Sequence, residues 1–269
     1  VRQQRADARQ VPPDAASAVK FFGGHAAKFV SSVFRRAGTR ITAGQVIHTV
    51  RSKTMSQLFE QYRPQSWGDV VGQAAAIAKI DTVRQRGLAG RAWWISGRSG
   101  TGKSTIAKLL ALEVADEFGI EEFDASELNA ARLRELRRSQ ATRGWGDKGG
   151  RAVIVNEAHG LRADAIRELL VMLEALPRHV LWAFTTTLEG QLDLLGDHID
   201  ASPLLSRCTL LELNGRELEL SFALRVRQIA QAEKLDGRPI DVYVALAKKH
   251  KCNMRAMLND VESGELLAR

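Results

Sequence analysis

Hydrophobic positions change their period several times along the chain, and each change marks an element. From residue 92 the run Ala-Trp-Trp-Ile is apolar without alternation and leads into a glycine-rich turn. There follows a stretch in which Ile106, Leu109, Leu110 and Val114 share one face of a 3.6-residue period. That is strand, loop, helix. Two further short apolar runs, Ala152-Val153-Ile154-Val155 and Val180-Leu181-Trp182-Ala183-Phe184, flank a segment where Ile166, Leu169, Leu170 and Leu173 repeat at helical spacing. Strands that are apolar throughout are buried on both faces, so the alternation of strand and helix predicts an α/β fold, a parallel sheet with helices on both faces. After about residue 215 the pattern is helical throughout, with Phe222, Leu224, Ile229 and Ala230 in one stretch and Val242, Val244, Leu246 and Ala247 in the next. This predicts a small all-helical domain over residues 215–269, following an α/β domain over 55–214.

The turn after the first strand, Gly97-Arg98-Ser99-Gly100-Thr101-Gly102-Lys103-Ser104-Thr105, fits the GxxxxGK[ST] phosphate-binding loop. Glycines let the backbone curl until successive N–H groups and the helix N-terminus face phosphate oxygens. Lys103 adds a point charge for the β- and γ-phosphates, and the Ser104 hydroxyl is placed to ligate magnesium. ATP and Mg are the cofactors this pattern calls for. The second apolar run ends in Asn156-Glu157-Ala158-His159. Enzymes with this loop end such a strand in an acid for the metal, and in one large class a following Glu polarises the attacking water. Glu157 stands at the position of that base. Asn156 stands at the metal position without a charge, which predicts weaker magnesium binding and slower turnover. His159 is expected to have a packing role. The third run ends in Thr185-Thr186-Thr187, whose hydroxyls, Thr185 and Thr186 first, are placed to hold water or sense the γ-phosphate.

Composition narrows the classes. The 269 residues are 45% hydrophobic and 26% charged, no apolar run is long enough to span a bilayer, and two cysteines, Cys208 and Cys252, form neither a CxxC pair nor a metal cluster. A reducing, cytoplasmic setting without membrane contact is expected. The net charge of +8 is uneven: residues 1–54 hold ten Lys/Arg and two Asp/Glu, and the rest of the chain is neutral. That basic leader shows no sustained period. It reads as upstream residues of a protein translated from Met55, as a basic arm for nucleic acid, or as an Arg-rich targeting sequence.

With these motifs in order, the chain resembles the AAA+ ATPases of the clamp-loader group, in particular small subunits of replication factor C and, less closely, bacterial gamma/tau subunits. The resemblance runs from Gln61 to Glu265. It includes Tyr62-Arg63-Pro64 and Trp67-Gly68-Asp69-Val70-Val71-Gly72-Gln73, similar to the segment that packs around adenine in the family, which implies nucleotide contacts for Tyr62, Arg63 and Val71. Phe123-Asp124-Ala125-Ser126 looks like the family's second strand and turn. Ser206-Arg207-Cys208 resembles the motif whose arginine reaches the neighbouring subunit's ATP, which implies that Arg207 acts in trans. Asn253-Met254-Arg255 opens a late helix, and the resemblance makes Arg255 the second sensor of the γ-phosphate. Three departures accompany it: no collar segment follows, the zinc cysteines of gamma/tau are missing, and Asn156 replaces the usual acid. Implied partners are other subunits of a homo- or hetero-oligomer, DNA and a sliding clamp. For DNA the resemblance points to Arg132, Arg134, Arg137 and Arg138, which fit a solvated helix face equally well. Trp145, between glycines, either stacks on a base or anchors its loop. Another AAA+ role, such as helicase loading, and an ATP-binding subunit with weak hydrolysis remain alternatives.

Overall fold

The computed structural model describes residues 57–187, 202–213, 215 and 218–267. The leader before Met55 and its three readings lie outside the described residues.

Nine α-helices and five strands are built by the described residues. In chain order they are α1 (Leu58–Gln61), α2 (Ala74–Arg84), β1 (Arg91–Ser96), α3 (Lys103–Val114), β2 (Ile120–Asp124), α4 (Ala130–Ser139), β3 (Arg151–Asn156), α5 (Ala163–Glu174), β4 (Val180–Thr186), α6 (Ser202–Ser206), β5 (Cys208–Glu212), α7 (Glu219–Ala232), α8 (Ile240–Lys249) and α9 (Met254–Glu262). The strands form one parallel sheet in the order β2-β3-β4-β1-β5. The three runs read as continuously apolar are its three central strands. Alternate residues explain why each had to be apolar throughout. Trp93, Ile95, Ile154, Leu181 and Ala183 point to one face, against Ile80 of α2 and Ile106 and Leu110 of α3. Trp94, Val153, Val155, Trp182 and Phe184 point to the other, against Leu133 and Leu136 of α4 and Ile166 and Leu169 of α5. Trp93, Trp94 and Trp182 are fully buried, and Phe184 lies between Trp94 and Trp182 with ring centroids 5.6 and 5.7 Å away.

The two edge strands explain themselves differently. β2 has no fully buried residue and β5 only Leu211, so they carry mixed polar and apolar positions and no clear strand signal. β5 was not anticipated; its first residue was read only as the end of the Ser-Arg-Cys motif.

The helices α7, α8 and α9 share a third hydrophobic cluster, centred on Phe222, Val226, Ile229, Tyr243, Leu246, Met257 and Leu258. Leu58 belongs to it, and Phe59, Tyr62 and Val71 pack on it. The short N-terminal helix thus packs with the C-terminal ones, and the Leu58 amide donates to the Glu262 carboxylate at 3.4 Å. One part of the periodicity reading is corrected: Leu224 and Val242 are 47% and 37% exposed, and the inward row of α7 is Phe222, Ala223, Val226 and Ile229. The sequence has enough apolar residues on α7 to draw two rows, and only packing selects one.

Candidate nucleotide site

The glycine-rich turn joins the C-terminal end of β1 to α3. Gly100 (φ 74°) and Gly102 (φ 100°) take left-handed backbone, which a side chain disfavours, and Gly102 caps α3. At Gly100 the approach is closer still: a Cβ there would fall 2.0 Å from Asn253 Oδ1 and 2.8 Å from the Asn253 Cα. The Met254 amide in turn donates to the Gly100 carbonyl at 3.3 Å. Asn253 also caps α9, its side chain accepting from the Ala256 amide. The phosphate loop therefore rests on the first turn of the last helix.

Lys103 is 8% exposed, and its ammonium donates to the carbonyls of Gly97 and Arg98, each at 3.0 Å. A buried ammonium resting on the carbonyls of a glycine cradle fits a nucleotide's phosphates, as the donor set of that cradle is backbone N–H and one cation. Next to it, Ser104 Oγ lies 3.3 Å from Asn156 Oδ1, and the same oxygen accepts from Thr185 Oγ1 at 3.0 Å. The Asn156 amide donates to Glu122 Oε1 at 2.6 Å. Asn156 therefore joins the serine of the loop, a threonine of β4 and a carboxylate of β2. Among the described residues no three His, Cys, Asp or Glu side chains gather as a metal cage. A magnesium ion would be held by Ser104 and phosphate oxygens, with Asn156 accepting from its water.

Glu157 takes left-handed backbone (φ 49°, ψ 48°), uncommon for a residue with a Cβ, and this turns it toward the loop, where it lines the pocket. His159 Nδ1 lies 3.5 Å from Glu157 and 3.3 Å from Thr186 Oγ1. Thr185 and Thr186 are buried and do not line the pocket; Thr185 bonds Asn156 and Thr186 bonds His159.

Across the pocket stands a wall of Tyr62, Arg63, Val71, Phe222, Arg225 and Arg255. Arg255 stacks over the Phe59 ring at 4.9 Å. The Tyr62 hydroxyl donates to Glu233 at 2.7 Å, which raises its pKa. Asp69 is held below the usual carboxylate range by the Ser66 hydroxyl. The structure thus brings together the residues predicted for phosphate, adenine and sensor roles, with Glu157. Arg207 lies apart from them, donating to the Pro203 carbonyl at 2.7 Å and paired with Glu174 of α5. Arg132, Arg134 and Arg137 are on α4, away from the pocket and already paired with Glu121, Glu135 and Glu168. Arg138 lies on the same helix.

Among solved structures the chain is similar to RuvB of Thermotoga maritima, a Holliday junction branch migration motor, with a TM-score of 0.57 and 18% identity over 75% of this chain and 64% of that one. This is the AAA+ fold. The AAA+ likeness extends to sequence. DNA polymerase III subunit gamma/tau of Mycobacterium tuberculosis is 30% identical over 155 aligned positions, covering 48% of this chain and 27% of that protein. Subunit tau of Escherichia coli is 27% identical over 184 aligned positions, covering 60% of this chain and 27% of that protein. The chain spans little more than a quarter of the length of these two curated relatives. No protein-family model matches it. It is similar to clamp-loader AAA+ subunits of bacteria, within the group its motifs resemble.

Two residues of this site went unread in the sequence. Arg225 follows Phe222 by three positions and precedes Ile229 by four, so a helical row ran from the third hydrophobic cluster to the pocket. Glu122 sits two residues before Asp124 on β2, a same-face spacing that a recognised strand would have revealed.

Proposed function

We propose that the chain binds ATP with magnesium and hydrolyses it as a clamp-loader-like AAA+ subunit in DNA replication or repair. The observation that carries this reading is the direct seating of the phosphate loop on α9, Gly100 against Asn253 and Met254, with Arg255 one residue further on. A change at the γ-phosphate is then felt at once by the helical lid. In this reading residues 55–214 bind the nucleotide and 215–269 form the lid, with α1 joined to the lid core.

Tyr62, Arg63 and Val71 hold the base and ribose side, while Gly97 to Thr105 cradle the phosphates. Magnesium supplies charge neutralisation between the phosphates. Glu157 accepts a proton from the attacking water, and Thr185 keeps Asn156 aimed at the metal side. Arg207, directed away from its own pocket, serves a neighbouring subunit's nucleotide, so activity belongs to an oligomer. DNA and a sliding clamp are the partners of this reading, and the cytoplasm its setting. Among the described residues no helix is long and apolar enough to cross a membrane.

A second reading is favoured by Asn156 alone: a subunit that binds ATP but turns it over slowly and works beside a catalytic partner. Steady-state hydrolysis by the full chain, titrated in protein concentration with and without primed DNA, separates the two. Turnover that rises with concentration and with DNA, and vanishes in Lys103→Ala, supports the motor. ATP binding with negligible turnover at every concentration overturns it in favour of the second reading.

A further inference from the structure

Because the strands are parallel, the phosphate loop occupies one end of the sheet, and the starts of β1, β3 and β4 open at the other. Strands of six and seven residues at about 3.3 Å per residue put roughly 20 Å between the two ends. The far end holds a cleft of about 890 Å³. Of the described residues lining it, Arg84, Arg86, Arg91, Arg143, Lys148 and Arg178 are cations and Glu113 is the single carboxylate. Glu113 is taken by Arg84, whose Nε donates to it at 2.8 Å. Arg91 donates to the Gly87 carbonyl, and Lys148 to that of Leu112. Arg86, Arg143 and Arg178 are exposed and have no carboxylate partner among the described residues. The contrast with α4 is direct, since three of its arginines are already neutralised. Three guanidinium groups unpaired among the described residues therefore line this one cleft.

A second feature adjoins the first. One rim of the cleft is the loop from α4 to β3, in which Arg143 and Lys148 bracket Trp145. Trp145 is 85% exposed, so it does not anchor its loop by burial. Yet the loop is built: the Gly144 amide donates to the Gly149 carbonyl at 3.1 Å, and the Lys148 amide to Asp116 at 3.1 Å. A Cβ on Gly146 would fall 2.2 Å from the Asp116 carboxylate. On the turn after Asp116, Phe118 is 80% exposed. Two large aromatic faces are thus held in water beside a cationic cleft.

We propose that this end of the sheet is a second ligand site, which binds single-stranded nucleic acid. Guanidinium groups form bidentate bonds with phosphate oxygens, and the indole face accepts a base. A duplex has its bases stacked and offers none to Trp145, and an acidic polypeptide satisfies the charge but not the ring. The site stands apart from the nucleotide pocket, is independent of the hydrolysis reading, and can be filled while ATP is bound.

The test uses the full chain without nucleotide and a fluorescein-labelled oligothymidylate, followed by anisotropy over a range of salt. Trp145→Ala is expected to weaken single-strand binding by roughly 5- to 100-fold and to leave duplex binding unchanged. Arg143→Ala with Arg178→Ala is expected to weaken both and to lower the salt slope by about 1.4. The basic leader could bind the oligonucleotide by itself, so a local readout is needed: oligothymidylate should quench tryptophan emission, and the quenching should be lost in Trp145→Phe. All three positions are exposed, so the variants are expected to fold. Unchanged affinity in Trp145→Ala together with no quenching from Trp145 overturns the proposal. So does polyglutamate or duplex competing as well as the oligothymidylate, which would make the face a docking site for an acidic partner.

Discussion

Gly100 of the phosphate loop and Asn253 at the start of α9 approach so closely that no side chain fits between them. In Gly100→Ala the new methyl meets Asn253 backbone as well as its side chain, and the left-handed φ of 74° adds about 1–2 kcal/mol. The loop must then leave the helix. The expected outcome is nucleotide affinity at least tenfold weaker, by titration calorimetry, with the sheet's circular dichroism retained.

Asn156 predicts a paradox for the obvious repair. Asp at this position restores the charge expected for magnesium, but it faces Glu122, which now accepts from the Asn156 amide at 2.6 Å. Without metal the two carboxylates repel, and Asn156→Asp should lose about 1 kcal/mol of stability, an exposed pair being screened. Magnesium should restore it. Denaturant midpoints with and without magnesium check this, and the double variant Asn156→Asp with Glu122→Gln should hydrolyse ATP faster than Asn156→Asp alone.

Arg207 is held by Glu174, an exposed carboxylate, and by the Pro203 carbonyl. Arg207→Ala should lower turnover by about a thousandfold in the assembled protein and leave ATP binding intact. Glu174→Gln should change stability by less than about 0.5 kcal/mol and raise turnover at low protein concentration, because the guanidinium is released for a neighbour. Hydrolysis measured against protein concentration distinguishes these effects from unfolding.

The C-terminal helices carry an acid-sensitive clasp. Burial opposes ionisation of Asp260, but hydrogen bonds from His250 at 2.7 Å and Lys249 at 3.0 Å outweigh it and hold the carboxyl below its ordinary range. A carboxylate with a depressed folded pKa stabilises the fold above its unfolded value, and that contribution is lost as pH falls through the folded one. Stability should therefore drop below about pH 4, and Asp260→Asn should flatten this part of the profile at a cost of about 1 kcal/mol at neutral pH.

Much of this was legible in the sequence because the central strands are buried on both faces. Ala152 to Val155 and Val180 to Phe184 have no polar position that could be mistaken for a turn, and Gly100 and Gly102 declare a backbone no other residue takes readily. The edges were not legible. Cys208 to Glu212 pairs on one side only, so Thr209 and Glu212 can be polar and the run carries no period. The exposed face of α7 failed for the opposite reason, since Leu224 is apolar without being buried. Arg225 was hidden by the same ambiguity: until the inward row of α7 is known, one cannot say which arginine faces the pocket. Glu135, three residues after Arg132 on the same helix, was a partner the local pattern offered, whereas the pairing of Arg134 and Arg137 depends on Glu168, which lies on another element, so no local pattern could have revealed it.

The thiols offer a check on the β5 edge. Burial pushes the Cys208 thiol up to about 12, and burial also raises Cys252. Neither should react with iodoacetamide at pH 8 in the folded protein, and both should react after denaturation. A raised thiol pKa contributes stability below the unfolded value and loses it above, so unfolding should become easier beyond about pH 9. Mass spectrometry after timed alkylation measures the first effect and denaturant titration the second.

The packing of Leu58 against α7, α8 and α9 gives the molecule a built-in test of completion. The first helix leaves the ribosome some 200 residues ahead of Glu262, to which its backbone is bonded across a separation of 204. Until the last helix is synthesised, Leu58 and Phe59 have no cluster to enter, while the sheet can close as soon as β5 is made. Closing so long a loop costs only logarithmically more than closing a short one, so the delay is one of timing rather than of stability. A prematurely terminated chain would own the phosphate loop but neither Asn253 beneath it nor Arg255 opposite. Such a fragment would be a closed sheet whose glycine loop has no helix to rest on, so the order of synthesis makes the pocket the last part of the molecule to form.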